Sequence, residues 1–288
     1  MRVVVLGASG LLGSTLVPYL KACGHFVVQH RRSGDGDIGG DLTSADETAV
    51  ALDASAGPDV IINLAALTDV DHCEGDPQRA YRLNVRIVEN VVRWIRDRGA
   101  GSHLVQMSTD QIYDGSGSQR ESDVTLCNYY GFSKYAAELV AATVPSTVLR
   151  TNFIGRSRCP NRNSLSDWLI QSLRRGEPFT VFTDVRFSPL SLTGLGELVE
   201  LVCLRRERGI FNVGARDGIS KADLAFSLAE ALGLSAASMT RGLSSTVNLV
   251  ARRPRDMSMD SSRFEQTFGV LLPDAREVMQ SVLREYRS

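Results

Sequence analysis

No excess of either charge marks this chain of 288 residues: 32 Lys and Arg stand against 33 Asp and Glu, a formal net charge of −1. That balance speaks against a nucleic-acid partner or an anionic membrane surface. The basic residues are mostly arginine, often adjacent, as in Arg31-Arg32, Arg174-Arg175, Arg205-Arg206 and Arg252-Arg253. Such pairs read as solvated surface unless a motif claims them. Cysteine is also sparse. Cys23, Cys73, Cys127, Cys159 and Cys203 are scattered without close metal-ligand spacing, and their odd number excludes complete pairing within the chain. In a chain of this length they read as reduced thiols. No apolar run approaches the roughly 20 residues of a membrane helix, and no basic-then-apolar leader opens the chain. A cytoplasmic protein without membrane partners is expected. Internal repeats, low-complexity tracts and flexible linkers are absent as well, so two parts of the chain should share an interface.

Hydrophobic residues make up 43% of the chain, enough for a sizeable core. Short apolar runs alternate with helical stretches in the first half, which argues for a parallel sheet covered by helices. Val3-Val4-Val5-Leu6 is continuous and β-branched, as in a strand buried on both faces. Further strands are expected at Phe26-Val27-Val28, at residues 59–63, 103–107 and 147–150, and later at residues 210–213. A helix over residues 77–96 would bury Tyr81, Val85, Val88, Val92 and Ile95 on one face. Beyond residue 151 the pattern is less regular. Residues 156–166 read as a polar loop near a ligand or subunit surface, 165–173 as a helix with Trp168 in the core, and 221–232 and 275–286 as helices. The expected fold class is α/β: a doubly wound parallel sheet in residues 1–150, rejoined by a strand near 209–214, with a smaller domain mainly in residues 151–288.

The first strand runs into Gly7-Ala8-Ser9-Gly10-Leu11-Leu12-Gly13. A glycine-rich turn between a strand and a helix gives a dinucleotide-binding, Rossmann-type motif. Gly7 allows the tight turn, Gly10 lets the backbone approach a pyrophosphate, and Gly13 lets the helix pack close. Gly7, Ser9, Gly10, Leu11 and Leu12 are expected against the cofactor, with free N–H groups at the helix start facing its phosphates. The second strand ends in Gln29-His30-Arg31-Arg32-Ser33, with no carboxylate before Asp35 to grip the ribose of NAD. Arg31 or Arg32 would instead pair with the extra phosphate of NADP. NADPH is therefore the preferred cofactor and NADH the other choice. Asp41 and Leu42 are expected near the adenine. Ala65 and Ala66, with Leu67, follow the next strand, where small residues let backbone lie close to the cofactor.

Residues four apart share a helix face, so Tyr130 and Lys134 in Tyr130-Gly131-Phe132-Ser133-Lys134 point into one site. A free tyrosine titrates near about 10, and a neighbouring ammonium should lower that value. Lys134 can also hold the nicotinamide ribose. Tyr130 would protonate a carbonyl oxygen during reduction, and Thr109, in Ser108-Thr109-Asp110, would donate a hydrogen bond to it.

Together these motifs resemble the extended short-chain dehydrogenase/reductases, most closely the dTDP-4-dehydrorhamnose reductase group. The resemblance spans nearly the whole chain. It includes Asn63-Leu64-Ala65-Ala66-Leu67-Thr68-Asp69-Val70-Asp71, Asn84, residues 108–115, Tyr130 to Lys134, Arg150-Thr151-Asn152-Phe153, and Arg253-Pro254 with Asp260. It implies reduction of the 4-keto group of a nucleotide-linked 6-deoxysugar, in a pathway to a surface polysaccharide or glycosylated metabolite. It also implies that Thr109, Tyr130 and Lys134 are catalytic and that Thr68, Val70, Asp110 and Phe153 lie at the sugar, with Arg253 at the nucleotide diphosphate. The acidic residues that bridge dimers through metal in some members have no counterpart, so no metal is expected; a homodimer stays open. Leu67 replaces the usual aromatic, Gln111 a common tyrosine, and Leu126-Cys127-Asn128 lacks a common proline. These departures leave the sugar open and the proton-transfer residues intact. A nucleotide-sugar 4-epimerase would need the same tyrosine and lysine. A 4,6-dehydratase would need Asp-Glu where Asp110-Gln111 stands. A non-catalytic NADP-binding subunit, resembling the partner of methionine adenosyltransferase, would not need all three of Thr109, Tyr130 and Lys134.

Overall fold

The protein is described here by a computed structural model covering residues 1–32, 36–98, 101–160 and 162–287. Among these residues, seven parallel strands form the central sheet: β1 (Arg2–Leu6), β2 (Phe26–Arg31), β3 (Ile38–Gly39), β4 (Val60–Asn63), β5 (His103–Thr109), β6 (Ser146–Thr151) and β7 (Gly209–Asn212). Their order is β7-β6-β5-β4-β1-β2-β3. The order reverses beside β1, so β1 and β4 flank the point where ligands bind such sheets, beyond the strands' C-terminal ends.

The main helices on the sheet are α1 (Gly13–Ala22), α2 (Ala45–Ala54), α3 (Ile87–Arg98), α4 (Tyr129–Ala141) and α5 (Leu192–Arg205). Successive strand side chains point to opposite faces, and β1 feeds both. Val3 and Val5 join Leu16, Leu20, Leu195 and Val199 under α1 and α5. Val4 and Leu6 join Leu52, Val88, Val91 and Ala137 under α2, α3 and α4. Burying both faces explains why β1 is a continuous apolar run. The first of these cores continues into the C-terminal part through Leu169 and Leu173 of helix Leu165–Arg175 and Leu224 and Leu228 of helix Lys221–Ala231. No helix among the described residues is long and apolar enough to cross a membrane.

Two expectations need correction. The helix expected over 77–96 runs unbroken through Arg98, but a wider π turn at Arg82–Arg86 separates Pro77–Tyr81 from α3. The π turn changes the rotation per residue, so Tyr81 leaves the buried stripe and its hydroxyl donates to Glu89 Oε1 at 2.7 Å. Within the same turn Asn84 is buried. Trp168 is not core: it is 44% exposed and meets Phe179 edge to face, with ring centroids 5.2 Å apart. It lies on the outward side of a helix whose Leu169, Ile170 and Leu173 face inward. Asp35, the first carboxylate after β2, is outside the described residues.

Candidate active site

A cleft of about 590 Å³ opens beyond the C-terminal ends of β1, β4, β5 and β6. Its first wall is the glycine loop. Gly7 has φ +77, and a Cβ there would stand 2.9 Å from the Ala65 nitrogen, so glycine lets the loop after β4 lie against the turn. A Cβ at Gly13 would stand 2.5 Å from the Ala8 carbonyl oxygen, which ties helix α1 to the end of β1. Neither a capping side chain nor an acidic residue occupies the first turn of α1. The Ser14, Thr15 and Leu16 N–H groups turn back to the Gly10 and Leu12 carbonyls, so it is the positive dipole end of the helix that suits a phosphate.

Gly7, Gly10, Leu11, Leu12, Ala66 and Leu67 line the cleft, as do Thr109, Tyr130, Lys134, Thr68 and Phe153. Ser9 and Ala65 adjoin it along the chain. Asn84, unassigned by the sequence beyond its place in the resemblance, joins two of these segments. Its Oδ1 accepts from the Leu67 N–H at 2.7 Å, and its Nδ2 donates to the Leu67 carbonyl at 3.1 Å and to Ser133 Oγ on α4 at 2.8 Å.

At the edge of the sheet, β2 and β3 place Arg31 opposite Gly39. The Arg31 Nε is buried without a hydrogen-bond partner. Arg32 pairs with Asp41 across 3.3 Å, an exposed contact that contributes little by itself. The Thr43 N–H bound to Asp41 is the main reason its carboxyl sits below the usual range. Leu42 is buried, its carbonyl accepting from Asn90 and Thr48. Only its backbone is therefore polar toward this end.

The reacting end centres on α4. Asn128 caps it, its Oδ1 accepting from the Gly131 N–H at 2.8 Å, and its Nδ2 donates to the Arg252 carbonyl at 2.9 Å. This cap starts the helix without the proline that the resemblance leads one to expect. Lys134 Nζ donates to the Met107 carbonyl at 2.6 Å. Burial lowers its pKa to about 8, with Glu138 opposing that shift. Tyr130 is buried against Val70, Cys73, Ala80 and Ala251. Burial raises its pKa well above the ordinary phenol value; hydrogen bonding to Thr109 opposes the rise, and Asp110 adds to it. The sequence led us to expect a lowered tyrosine pKa. The desolvation of a phenolate outweighs the lysine, whose ammonium is turned to a carbonyl. A neutral phenol is the form that can donate a proton.

Three expected substrate residues stand behind this surface. Val70 supports the Tyr130 ring. Asp110 is fully buried, accepting from Asn152 Nδ2 at 2.8 Å and from Thr109 Oγ1 at 3.3 Å, and burial pushes its pKa up to about 6. It can orient Asn152, which does line the cleft. Arg253 Nη1 pairs with Asp71 at 2.9 Å and also donates to the Ala251 carbonyl.

A buried ion pair braces the site from below. Arg150 Nη2 donates to Glu138 Oε2 at 2.6 Å and its Nη1 to Tyr113 Oη at 2.7 Å, while Ser108 Oγ donates to Glu138. Glu138 stands four residues beyond Lys134, on the face already occupied by Tyr130 and Lys134. That spacing was the available signal for it. Asn152, Arg162 and Asn163, which also line the cleft, carry no comparable local signal.

The sheet order and the glycine turn ahead of α1 make the fold Rossmann-type. The chain belongs to the family described as RmlD substrate binding domain, whose family model matches residues 1–288. It is 27% identical to the probable low-salt glycan biosynthesis reductase Agl14 of Haloferax volcanii, covering 100% of both chains. It is 29% identical to a dTDP-4-dehydrorhamnose reductase of Mycolicibacterium smegmatis, across 98% of this chain and 85% of that one. Its fold matches the crystal structure of dTDP-4-dehydrorhamnose reductase from Bacillus anthracis in complex with NADP, with a TM-score of 0.88, 22% identity and 99% coverage of each chain.

Proposed function

We propose that the protein reduces the 4-keto group of a nucleotide-activated 6-deoxysugar with NADPH or NADH. The observation that carries this reading is one cleft holding both the glycine loop and the Thr109, Tyr130 and Lys134 side chains. The residues present fit a dinucleotide: the glycine positions leave no room for a side chain, and the start of α1 is uncapped. The reduced nicotinamide, when bound, supplies the hydride.

The protein's own part is to bind, orient and donate a proton. Tyr130 gives its phenolic proton to the sugar oxygen as negative charge develops there. Thr109 is placed to donate to that oxygen when its hydroxyl turns from Asp110 Oδ1, where it rests at 3.3 Å. Lys134 is charged below about pH 8, which favours the tyrosinate left after transfer and can hold a ribose hydroxyl. Thr68 and Phe153 line the same cleft, where they can meet the sugar. Gln111 lines the cleft where a dehydratase would carry glutamate, and an amide cannot take up a proton in that role.

The unpartnered Nε of Arg31, with Arg32 beside it, supports preference for the additional phosphate of NADP. We assign residues 1–150 chiefly to the cofactor and residues 151–288 chiefly to the sugar. The five cysteines are free thiols, which supports a reducing cytoplasm. NADPH oxidation should follow addition of a dTDP-4-keto-6-deoxysugar to the protein. Tight NADPH binding with no oxidation across dTDP-, UDP- and GDP-linked ketosugars would overturn the reductase reading in favour of a binding subunit.

A further inference from the structure

We propose that Arg162 closes over the diphosphate bridge of the bound dinucleotide, so that a segment beyond the sheet supplies the cofactor's principal counter-charge. This rests on the cofactor assignment above. The segment is fixed at both ends by one carboxylate: Asp167 Oδ2 accepts from the Ser157 N–H at 3.0 Å and from the Ser164 N–H at 2.9 Å. Ser164 and Asp167 form the capping box of helix Leu165–Arg175, and Asp167 Oδ1 accepts from Tyr286 Oη at 2.7 Å. Between those ends the segment touches the glycine loop. The Cys159 thiol donates to the Ser9 carbonyl at 3.2 Å, and the Arg162 N–H donates to the Cys159 carbonyl at 3.3 Å.

Arg162 thus starts within a turn of the glycine loop and lines the same cleft as Gly7, Gly10 and Leu11. Among the described residues its guanidinium has no hydrogen-bond or ion-pair partner, whereas Lys134 is on the Met107 carbonyl, Arg253 on Asp71 and Arg32 on Asp41. The glycine loop offers only N–H dipoles, equivalent to roughly half a charge at the helix end. A diphosphate there retains negative charge for an arginine to bind through paired N–H donors. The nucleotide sugar also carries a diphosphate. The link from Cys159 to Ser9 places Arg162 beside the cofactor's end, away from Arg253 and Asp71.

Equilibrium binding of NADPH and of dTDP to the wild type, Arg162→Gln and Arg162→Lys separates these sources. Loss of a charge-assisted contact should weaken NADPH by about tenfold or more in Arg162→Gln. Arg162→Lys should recover part of the loss, and dTDP affinity should hold within about twofold, the scale of surface substitutions. Unchanged NADPH affinity in Arg162→Gln overturns the proposal, and so does a loss confined to dTDP. Wild-type protein that binds no NADPH would instead refute the cofactor assignment, before any variant is compared. Arg162 is exposed, so an unchanged melting temperature should accompany either variant.

Discussion

The part of the cleft formed by the sheet and the part formed beyond residue 151 offer a ligand different means of recognition. The sheet wall works mainly through backbone: a glycine turn, a helix start and the loop after β4, with Tyr130 and Lys134 set on one helix. The other part works through side chains on short segments, among them Asn152, Phe153 and Arg162. Backbone recognition suits a part shared by all dinucleotides, because every N–H is the same whatever the residue. Side-chain recognition suits a sugar, where the position of one hydroxyl decides acceptance. The difference teaches where substitutions should change chemistry, where stability, and where selectivity.

The largest effect should fall on proton transfer. Tyr130→Phe should lower kcat by about 10²- to 10⁴-fold with NADPH affinity nearly unchanged, as read by steady-state rates beside a binding titration. Substantial residual turnover would remove Tyr130 from the mechanism. Next is the brace that holds the sheet wall together. Glu138→Ala leaves Arg150, buried to 1% exposure, without its charge partner, and should cost about 3–5 kcal/mol in denaturant unfolding. A loss under about 1 kcal/mol would mean that solvent or a neighbour replaces the pair.

The pH profile tests the lysine. Burial lowers the Lys134 pKa to about 8, so its ammonium is present below that pH and lost above it. Reductive kcat/KM at low ketosugar and NADPH concentrations should be flat just below pH 8 and fall about tenfold per unit above it. Tyr130, with its raised pKa, stays protonated through that range. A profile flat to pH 10 would show that the charge on Lys134 is not used. The smallest effect concerns cofactor choice. Replacing Arg31 and Arg32 by alanine should weaken NADPH about tenfold while changing NADH little. Equal weakening of both would refute recognition of the additional phosphate.

Much of the sheet wall was legible from local spacing. The apolar run Val3–Leu6, the glycine turn and the four-residue interval from Tyr130 to Lys134 each encode geometry within one turn or strand. The errors arose where a distant contact outweighed local periodicity. Asn84 joins the Leu67 loop to Ser133 within a π turn that takes Tyr81 out of the buried stripe, and Trp168 has its exposed side where its neighbours face the core. The raised pKa of Tyr130 was equally hidden, because Val70, Cys73, Ala80 and Ala251 come together around it only on folding.

The sequence by itself determined the parallel sheet, the glycine turn before helix α1 and the shared helix face of Tyr130 and Lys134, because periodicity and steric freedom act over a few residues. Only the tertiary structure decided that Asp110 lies beneath Asn152 instead of lining the cleft, that Glu138 braces Arg150, and that Arg162 lines the same cleft as the glycine loop. Those relations join residues far apart in the chain. Burial and charge pairing depend on which segments meet in space, and that is settled by the packing of the whole core.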